Sequence, residues 1–461
     1  MLKRFLAIVL SGMMMVSMLT GCAGTAQKED TTKDTATDAI TDAASDTTES
    51  VKTTEVPEGP VTVTVFCAYA SEDPHGQYVY KYAENYMAQH PNVKIEITAI
   101  SSNDIYTKLA AMATSPDDLP TLFFTSADQA PTLYDLGMTE DLNNWLDNAD
   151  KADFANGVVE ACTLDNTMAF YPIDVQPSAI IYRQDWFDGK NLKAPTTWEE
   201  FLNCAKALTE DTNKDGEVDR WGFSMVGSNN SSGQSRFMSY LWSNGYDLIS
   251  EQADGTWKNG LDEDGFLKAF SFWRDLNNVH HVVPNGITEV DYATAANYFA
   301  MEYTGMMLSG SNAIGVAYAN NPNLKGKIGS FRIPGDAPGT MLNTEGYAIC
   351  NKASDEEKAV AIDYLKFFIS NDKDQMFWQS SGKIPSTLEG QKAAYISGPD
   401  YAGYLDTIAK GCRPTVNFAG MAGLKTILGD GYSSVFSGEK TNEEAVKKME
   451  ADLDTLLEDY N

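Results

Sequence analysis

The chain has 461 residues, and its 65 acidic and 34 basic side chains give a formal net charge of −31. Such an acidic chain is not expected to bind nucleic acid or an anionic membrane surface, because both require basic patches on their partners. Its hydrophobic fraction of 43% is typical of a globular protein, and its length predicts two or more lobes.

The first 22 residues predict a secretory signal that ends in a lipidation site. Lys3 and Arg4 precede an apolar run at 5–18, which is shorter than the ~20 residues that a membrane span needs. The final Leu-Thr-Gly-Cys resembles the bacterial lipobox, in which the cysteine is acylated and becomes the new N-terminus. We therefore expect Cys22 to carry a lipid. An ordinary secretory signal with an incidental cysteine, or an uncleaved anchor, is the alternative.

Residues 23–59 predict a flexible tether between this site and the folded part of the chain. The segment is rich in Thr, Ala, Asp and Ser and has few large apolar residues, so it cannot bury enough surface to fold. Its acidic residues favour an extended chain. We expect the folded part to begin near Pro60.

Alternating strands and amphipathic helices then fill the chain up to residue 124. The β-α-β-α-β order indicates an α/β fold whose parallel sheet carries helices on its faces. Ligands bind at the carboxyl ends of such strands, so the loops at 68–73 and 125–128 are expected to face a ligand. The predicted elements are strands at 61–66, 93–97 and 120–124 and helices at 78–87 and 106–113.

Later residues predict one extended stretch and three helices. The extended stretch covers 173–182, where Pro177 disfavours a central strand position. A helix follows a capping box formed by Thr196 with Glu199 or by Thr197 with Glu200. The other two helices are a segment capped by Ser354 and Glu357 and an amphipathic segment at 442–458.

The cysteines do not form a metal-binding or disulfide pattern. Without Cys22 they are odd in number, widely spaced and free of any CxxC pair, which argues against a zinc ribbon and a disulfide scaffold. A single disulfide is left open by the sequence. The five residues are Cys67, Cys162, Cys204, Cys350 and Cys412.

The segment at 211–219, DTNKDGEVD, has the ligand spacing of a calcium-binding loop. Oxygen ligands fall at loop positions 1, 3, 5, 7 and 9, and Gly216 occupies the sharp turn. The twelfth position is Gly222 instead of the usual bidentate Glu. The pattern gives a candidate structural Ca²⁺ site, with a metal-free turn as the alternative. The ligands would be Asp211, Asn213, Asp215, Glu217 and Asp219.

Five segments occur in an order that is typical of one family. They are PDDLPTLFFTSAD at 116–128, FYPIDVQPSAIIYRQDWFDGKNLKAPTTWEEF at 170–201, GMMLSGSNAIG at 305–315, TEGYAICNKASDEEKAVAIDYLKFF at 344–368 and SGKIPSTLEG at 381–390. No single motif is specific, but the ordered set resembles the extracellular solute-binding proteins of ABC importers. Within that family it is most similar to the sugar-binding branch that includes maltodextrin-binding proteins, and the resemblance covers 61–461.

The resemblance implies an α/β fold with two lobes, of the periplasmic-binding-protein-like type II, joined by a hinge of crossing strands. The first lobe would comprise 60–172 and 345–395, and the second 175–342 and 396–461. The implied function is a monomeric receptor that captures an oligosaccharide between the lobes and delivers it to the transmembrane subunits of an ABC permease. A lipid anchor on the outer face of the membrane would keep the receptor concentrated there, and would need more than one acyl chain.

The resemblance also implies which residues meet the ligand. Sugars present apolar ring faces and hydroxyl edges, so their sites need aromatic and planar polar side chains. The family's stacking Trp is replaced here by Asn312, which weakens a specific claim for maltodextrin and offers a hydrogen-bonding amide instead. The matching positions are Glu72, Asp73, Asp128, Asp174, Gln176, Phe237, Trp242, Asn312 and Glu345.

The sequence gives little support for catalysis. Its four histidines do not fall in a Ser/His/Asp or HExxH arrangement, and no Gly-rich phosphate loop is present. We therefore expect no enzyme activity and no required cofactor. The alternatives are the same fold with a non-sugar solute, a sensor that presents its ligand to a membrane kinase, and a secreted carbohydrate hydrolase.

Overall fold

The structure of the protein is a computed structural model. It describes residues 51–461 except 74, 102–103, 114–117, 262, 371–374, 414–415, 417 and 419. The signal segment with Cys22 and most of the predicted tether lie outside the described residues. Within the described ranges, no helix combines the length and the apolar character needed to cross a bilayer.

Two larger sheets organise the folded chain. A six-stranded sheet has the order β14-β6-β13-β3-β1-β2, and a four-stranded sheet has the order β12-β7-β11-β8. We call the part built on the six-stranded sheet the first lobe and the part built on the four-stranded sheet the second lobe. The strands are β1 (Val61–Cys67), β2 (Val93–Ala99), β3 (Leu122–Ser126), β4 (Thr163–Leu164), β5 (Thr167–Met168), β6 (Tyr171–Val175), β7 (Ser178–Arg183), β8 (Trp221–Ser224), β9 (Ile249–Glu251), β10 (Trp257–Asn259), β11 (Thr304–Gly310), β12 (Ile328–Phe331), β13 (Thr344–Ile349) and β14 (Ile384–Pro385).

Helices connect these strands and cover the sheets. The helices are α1 (Gly76–Gln89), α2 (Ile105–Met112), α3 (Ala130–Asp135), α4 (Asn148–Ala152), α5 (Val158–Ala161), α6 (Gln184–Gly189), α7 (Trp198–Leu208), α8 (Ser231–Ser243), α9 (Glu263–Asn278), α10 (Tyr292–Ala300), α11 (Asn312–Asn320), α12 (Asp355–Ser370), α13 (Met376–Ser381), α14 (Pro399–Lys410), α15 (Met421–Phe436) and α16 (Asn442–Glu458). Short 3-10 helices occur at Leu142–Asn144, Ile287–Glu289, Pro322–Leu324, Gly390–Lys392 and Ala394–Ile396.

The predicted β-α-β-α-β segment is confirmed as the start of the first lobe. Strand β1 pairs in parallel with both β2 and β3, with Val61 opposite Val93. The side chains of β1 alternate between buried and more exposed positions, as its period-two pattern predicts. Strand β13 joins the sheet antiparallel to β3 and β6, so the complete sheet is mixed.

Two predicted helix starts are confirmed by their caps. Thr197 accepts the backbone N–H of Glu200, whose carboxylate accepts the N–H of Thr197, so this pair forms the capping box of α7. The hydroxyl of Ser354 and the carboxylate of Glu357 do the same before α12. Reciprocal caps of this kind satisfy backbone donors that the first helical turn leaves free.

The chain passes between the lobes at three points. The predicted extended stretch is divided, because β6 ends before Pro177 and β7 begins after it in the other sheet. The second passage, at 332–343, leads from β12 to β13, and the third, at 386–398, leads from β14 to α14, which packs against β12 and β7. The two-lobed arrangement is thus present, while the residue bounds expected for each lobe stay predictions.

The loop between α13 and β14 brings the first lobe against the second. Gly382 in this loop has a left-handed backbone, with φ of +69°. A Cβ atom at this position would lie 3.2 Å from the carbonyl oxygen of Ser311 and 3.3 Å from the Cα of Asn312, at the start of α11. The close approach of two backbones therefore requires glycine here.

We predict that Gly382→Ala destabilises the protein more than a left-handed backbone alone explains. The conformation costs an alanine about 1 kcal/mol, and contact with the second lobe adds to that cost. Gly438→Ala is the control, because Gly438 has φ of +75° and its Cβ would meet no atom within 4 Å. Denaturant unfolding of both variants measures the difference, and equal losses would contradict a tight contact at Gly382.

Candidate functional site

The crossing point brings the ends of strands from both sheets together. Thr344, the first residue of β13, pairs with Val175 at the end of β6. Gly310, the last residue of β11, pairs with Ser178 at the start of β7. Polar side chains just before or after these positions therefore lie near the boundary between the lobes, where a two-lobed α/β protein binds its ligand.

A buried ionic cluster occupies the first-lobe side of this boundary. The Nζ atom of Lys383 donates to the hydroxyl of Tyr69 at 2.6 Å, to Oδ2 of Asp174 at 3.2 Å and to Oε2 of Glu345. The Tyr69 hydroxyl donates to the same Glu345 oxygen at 2.8 Å. Gln176 donates from Nε2 to Oδ1 of Asp174 at 3.2 Å. The structure thus brings together three predicted ligand residues, Asp174, Gln176 and Glu345.

Burial and the charges within the cluster shift the pKa values of its two acids in opposite directions. Burial raises the pKa of Asp174 to about 7, even though Lys383 favours its ionised form. Burial also opposes ionisation of Glu345, but the charge and hydrogen bond of Lys383 outweigh it and hold the Glu345 pKa below its usual value. The two carboxylates in turn raise the pKa of Lys383 despite its burial. Near neutral pH, Glu345 is the ionised partner of Lys383, and it is the more exposed acid at 20%.

Aromatic side chains enclose one side of the cluster. The ring of Tyr69 meets His75, Phe124 and Phe377 edge to face, with centroids 4.8, 5.5 and 5.6 Å away. Burial lowers the pKa of His75, and the nearby Lys383 acts in the same direction. A small recess beside Tyr69 is lined by Phe124, Ile173, Asp174, Glu345, Gly346, Tyr347 and Phe377. This arrangement offers an aromatic edge next to a carboxylate.

Asp128 extends the polar surface beyond the end of β3. Its Oδ1 accepts the hydroxyl of Ser126 at 2.6 Å, and its side chain is exposed. The Tyr106 hydroxyl lies 3.4 Å from Ser126 Oγ. Burial raises the pKa of Tyr106, and the charges of Asp128 and Glu345 add to this effect, so the three side chains are close enough to interact.

Glu72 and Asp73 lie in the loop after β1, as expected. The Asp73 carboxylate accepts the backbone N–H of Ala70 at 3.1 Å, which fixes the turn that follows Tyr69. Glu72 is exposed and accepts the hydroxyl of Ser71. Asp73 therefore shapes the loop that carries Tyr69, and ligand contact by either acid stays a prediction.

A second polar group lies on the second-lobe side. Asn312 Nδ2 donates to the hydroxyl of Tyr292 at 3.0 Å, and the Tyr292 ring lies under the guanidinium of Arg236, 4.9 Å from its centroid. Arg236 Nε donates to the carbonyl of Leu308 in β11 at 2.9 Å. Asn312 lies against Gly382, and Gly382 precedes Lys383 in the chain, so this contact between the lobes links the second polar group to the ionic cluster.

The structure corrects the expectation for Phe237 and changes that for Trp242. Phe237 has no exposed surface, and its ring packs among Tyr240, Trp273 and Tyr432 in the core of the second lobe. Trp242 is only 5% exposed, and the guanidinium of Arg413 lies 5.0 Å from its ring. Phe237 thus offers no face to a ligand, and a role for Trp242 in ligand binding stays a prediction.

The calcium-like loop holds its shape through its own hydrogen bonds. The Asp211 carboxylate accepts the backbone N–H groups of Lys214, Asp215 and Gly216, and Asp219 accepts both the N–H and the hydroxyl of Thr212. Asn213 and Asp215 each accept a backbone N–H two residues further on. Over the described residues, no three His, Cys, Asp or Glu side chains are grouped to hold a metal ion. Calcium binding by Asp211, Asn213, Asp215, Glu217 and Asp219 stays a prediction.

Sequence reasoning missed several residues that define the site. Tyr69 lies inside the loop predicted to face a ligand, so the loop was identified but not its aromatic side chain. Lys383 lies in the SGKIPSTLEG segment, which supports the family resemblance but does not by itself indicate a site residue. Arg236 and Tyr292 carry no local signal.

The five described cysteines are free, and four of them are buried, so none forms a disulfide in this structure.

Comparisons with known proteins identify similar sequences and folds. A sequence profile described as bacterial extracellular solute-binding protein matches residues 69–375. The chain is 25% identical over 328 residues to the diacetylchitobiose-binding protein DasA of Streptomyces coelicolor, which covers 68% of this chain and 72% of that protein. It is 28% identical over 127 residues to an uncharacterised ABC transporter extracellular-binding protein of Pyrococcus horikoshii, which covers 27% of this chain and only 29% of that protein.

A solved structure has the same fold at low sequence identity. Maltose-bound MalE3 of T. maritima aligns with a TM-score of 0.69 and 21% identity, over 86% of this chain and all of that one. At this identity the likeness establishes the fold, and the two-lobed α/β architecture predicted from the sequence is confirmed.

We predict that the buried proton on Asp174 makes the protein less stable as the pH rises from about 5 to about 7. Unfolded Asp174 releases its proton near 3.8, whereas the folded protein retains it to about 7. The free energy of unfolding therefore falls across this range, by up to about 1.4 kcal/mol per pH unit, and becomes independent of Asp174 above it. The lowered pKa of Glu345 acts below this range.

Denaturant unfolding at several pH values tests this effect. Asp174→Asn should lose this component of the pH dependence, and subtraction of its curve from the wild-type curve removes the contribution of the histidines. Asp459→Asn, which removes an exposed carboxylate of the second lobe, is the control and should keep the wild-type slope. Parallel curves for wild type and Asp174→Asn would show that Asp174 is ionised throughout.

Proposed function

Because the chain belongs to the family of bacterial extracellular solute-binding proteins, we propose that it is the lipid-anchored receptor of an ABC importer. It captures a carbohydrate between its lobes and delivers it to the transmembrane subunits of the permease. The observation that carries this proposal is the convergence of polar groups from both lobes at the crossing point. Tyr69 and Glu345 face this point from the first lobe, and Tyr292 and Asn312 from the second.

The chemistry of these groups supports a carbohydrate ligand. Carboxylates accept hydrogen bonds from sugar hydroxyls, amides both donate and accept, and tyrosine rings cover the apolar faces of sugar rings. The exposed Asp128 and the partly exposed Glu345 supply acceptors, and Asn312 supplies an amide. The diacetylchitobiose-binding relative and the maltose-bound neighbour give carbohydrate precedent for the same fold.

Ligand capture would proceed by closure about the three passages between the lobes. A ligand that contacts both lobes binds the closed form more tightly than the open form, and so shifts the population towards closure. The closed form is the one that we propose the permease recognises. We expect the ligand to leave chemically unchanged, because the family to which the chain belongs consists of solute-binding proteins.

We predict that an oligosaccharide stabilises the purified protein and is recovered intact. Asp128→Asn should weaken the binding of this oligosaccharide about tenfold, because it removes a charged hydrogen-bond acceptor. A thermal-shift screen of oligosaccharides identifies the ligand, titration calorimetry measures its affinity, and chromatography checks its integrity. Asp459→Asn removes the same charge from an exposed position in the second lobe and should leave the affinity unchanged. Products from the sugar would instead support a hydrolase.

We predict that Cys22 is the site of membrane attachment. In cells grown with labelled palmitate, the wild-type protein should carry label and sediment with the membranes. Cys22→Ala should carry none, because the acceptor thiol is absent, and should not be attached through a lipid. A variant at Cys67, which is buried in the first lobe, serves as the control for label incorporation. Label on Cys22→Ala would contradict the assignment.

A further inference from the structure

Arg236 is a largely enclosed cation without a counter-ion. Of the six arginines among the described residues, four pair with a carboxylate: Arg183, Arg220, Arg274 and Arg413. Arg236 pairs with none in the described part of the chain, although the sequence has nearly twice as many acidic as basic side chains. Burial lowers the pKa of Arg236 to about 10, so it still carries its charge at neutral pH.

The other arginine without a carboxylate, Arg332, differs in its surroundings. Its Nη2 atom donates to the carbonyl of Ala337, inside the second passage between the lobes. Arg236 instead lies in α8, the helix that follows β8 in the chain, and its side chain reaches β11. Strands β8 and β11 are parallel, so their carboxyl ends share the edge of the sheet that faces the crossing point.

The hydrogen bonds of Arg236 leave one end of its guanidinium without acceptors. Nε donates to the carbonyl of Leu308, and Nη1 donates to the carbonyl oxygen and the hydroxyl of Ser232 at 2.9 and 2.6 Å. No described group accepts a hydrogen bond from Nη2. Arg236 is therefore held in position by its own lobe, while two of its N–H groups are left to bind something else.

The neighbouring side chains add donors and no negative charge. The Tyr292 hydroxyl accepts the amide of Asn312 and, among the described groups, has no acceptor for its own hydrogen. The buried hydroxyls of Ser309 and Ser311, at the end of β11, also have no described partner. Tyr404 donates to the carbonyls of Ser309 and Gly310 and interacts with Arg236. A positive charge with unused N–H donors, next to the hydroxyl donor of Tyr292, is complementary to an anionic acceptor.

We infer that the ligand is an acidic sugar, a uronic acid or its oligomer, whose carboxylate pairs with Arg236. This inference rests on the proposed function and specifies the class of carbohydrate. A single cation matches the single charge of a carboxylate better than the near-double charge of a phosphate monoester. An enclosed charge without a partner raises the free energy of the protein. A bound carboxylate pairs with that charge and removes the cost, whereas a neutral sugar leaves the charge unpaired and therefore binds less tightly.

The two lobes then divide the recognition of such a sugar. Arg236 and Tyr292 take the carboxylate on the second-lobe side. Glu345 and Asp128, both acidic, accept hydroxyl groups on the first-lobe side and repel a carboxylate placed there. The sugar is therefore bound in one orientation, with its acidic group against the second lobe.

Matched pairs of acidic and neutral oligosaccharides test this inference. Galacturonate and glucuronate oligomers are compared with the galactose and glucose oligomers that carry hydroxymethyl groups in place of the carboxylates. Calorimetry on the full-length protein in detergent should show one acidic oligomer binding at least about tenfold more tightly than its neutral counterpart. Arg236→Gln should remove this preference and weaken the acidic oligomer about 10- to 100-fold, with little effect on the neutral one.

Two further variants separate charge from folding. Arg236→Lys keeps the charge and should retain part of the preference for the acidic oligomer. Arg274→Gln removes the same charge from a paired guanidinium and should keep all of it. Circular dichroism and melting temperature show whether each variant is folded.

The outcomes distinguish the inference from the function on which it rests. Tight binding of a neutral oligomer, with no gain from the carboxylate, would overturn the inference and leave carbohydrate capture in place. Equal weakening of both oligomers by Arg236→Gln would do the same, since Arg236 would then act as an ordinary donor. Failure of every acidic and neutral sugar to bind would contradict both proposals.

Discussion

Lys383 joins three strands of the first lobe at the edge where the chain crosses to the second. Its ammonium group contacts Asp174 on β6 and Glu345 on β13, and it directly precedes β14. Removal of one partner from a buried ion pair costs about 3–5 kcal/mol, because it leaves the other charge without compensation. The cluster therefore fixes the strands from which the passages begin, and it also holds the side chains of Tyr69 and Glu345 in place.

The second lobe presents a contrasting surface. Its polar group at the boundary consists of donors and one cation, whereas the first lobe presents carboxylates whose nearest cation is already engaged. The hydrogen bonds described for each surface are made within its own lobe, while one end of the Arg236 guanidinium and the hydrogen of the Tyr292 hydroxyl have no described acceptor. In the proposed function, a ligand between the two surfaces would make hydrogen bonds to both of them, and this would couple binding to closure.

Local patterns in the sequence predict the helices and strands well, but they predict the contacts between distant elements less well. The capping box of Thr197 and Glu200 and the alternation of β1 depend on neighbours in the chain, and both were correct. The pairing of Asp174 with Lys383 spans 209 positions and depends on the strand order, so no local pattern contains it. The expectation for Phe237 came from the resemblance, which carries over a position in the chain but not the burial of its side chain, and Phe237 is fully buried.

The three passages leave the first lobe from strands that are adjacent in its sheet, in the order β14-β6-β13. A single connection would let one lobe rotate about any axis relative to the other, whereas three connections side by side favour rotation about the line that joins them. Twisting one lobe against the other would stretch the two outer passages in opposite directions. Rotation about the line that joins the passages therefore costs less free energy. Under the proposed closure, solutes of different shape would meet the second lobe along the same path, so the protein would discriminate among them by the contacts made once the lobes have closed.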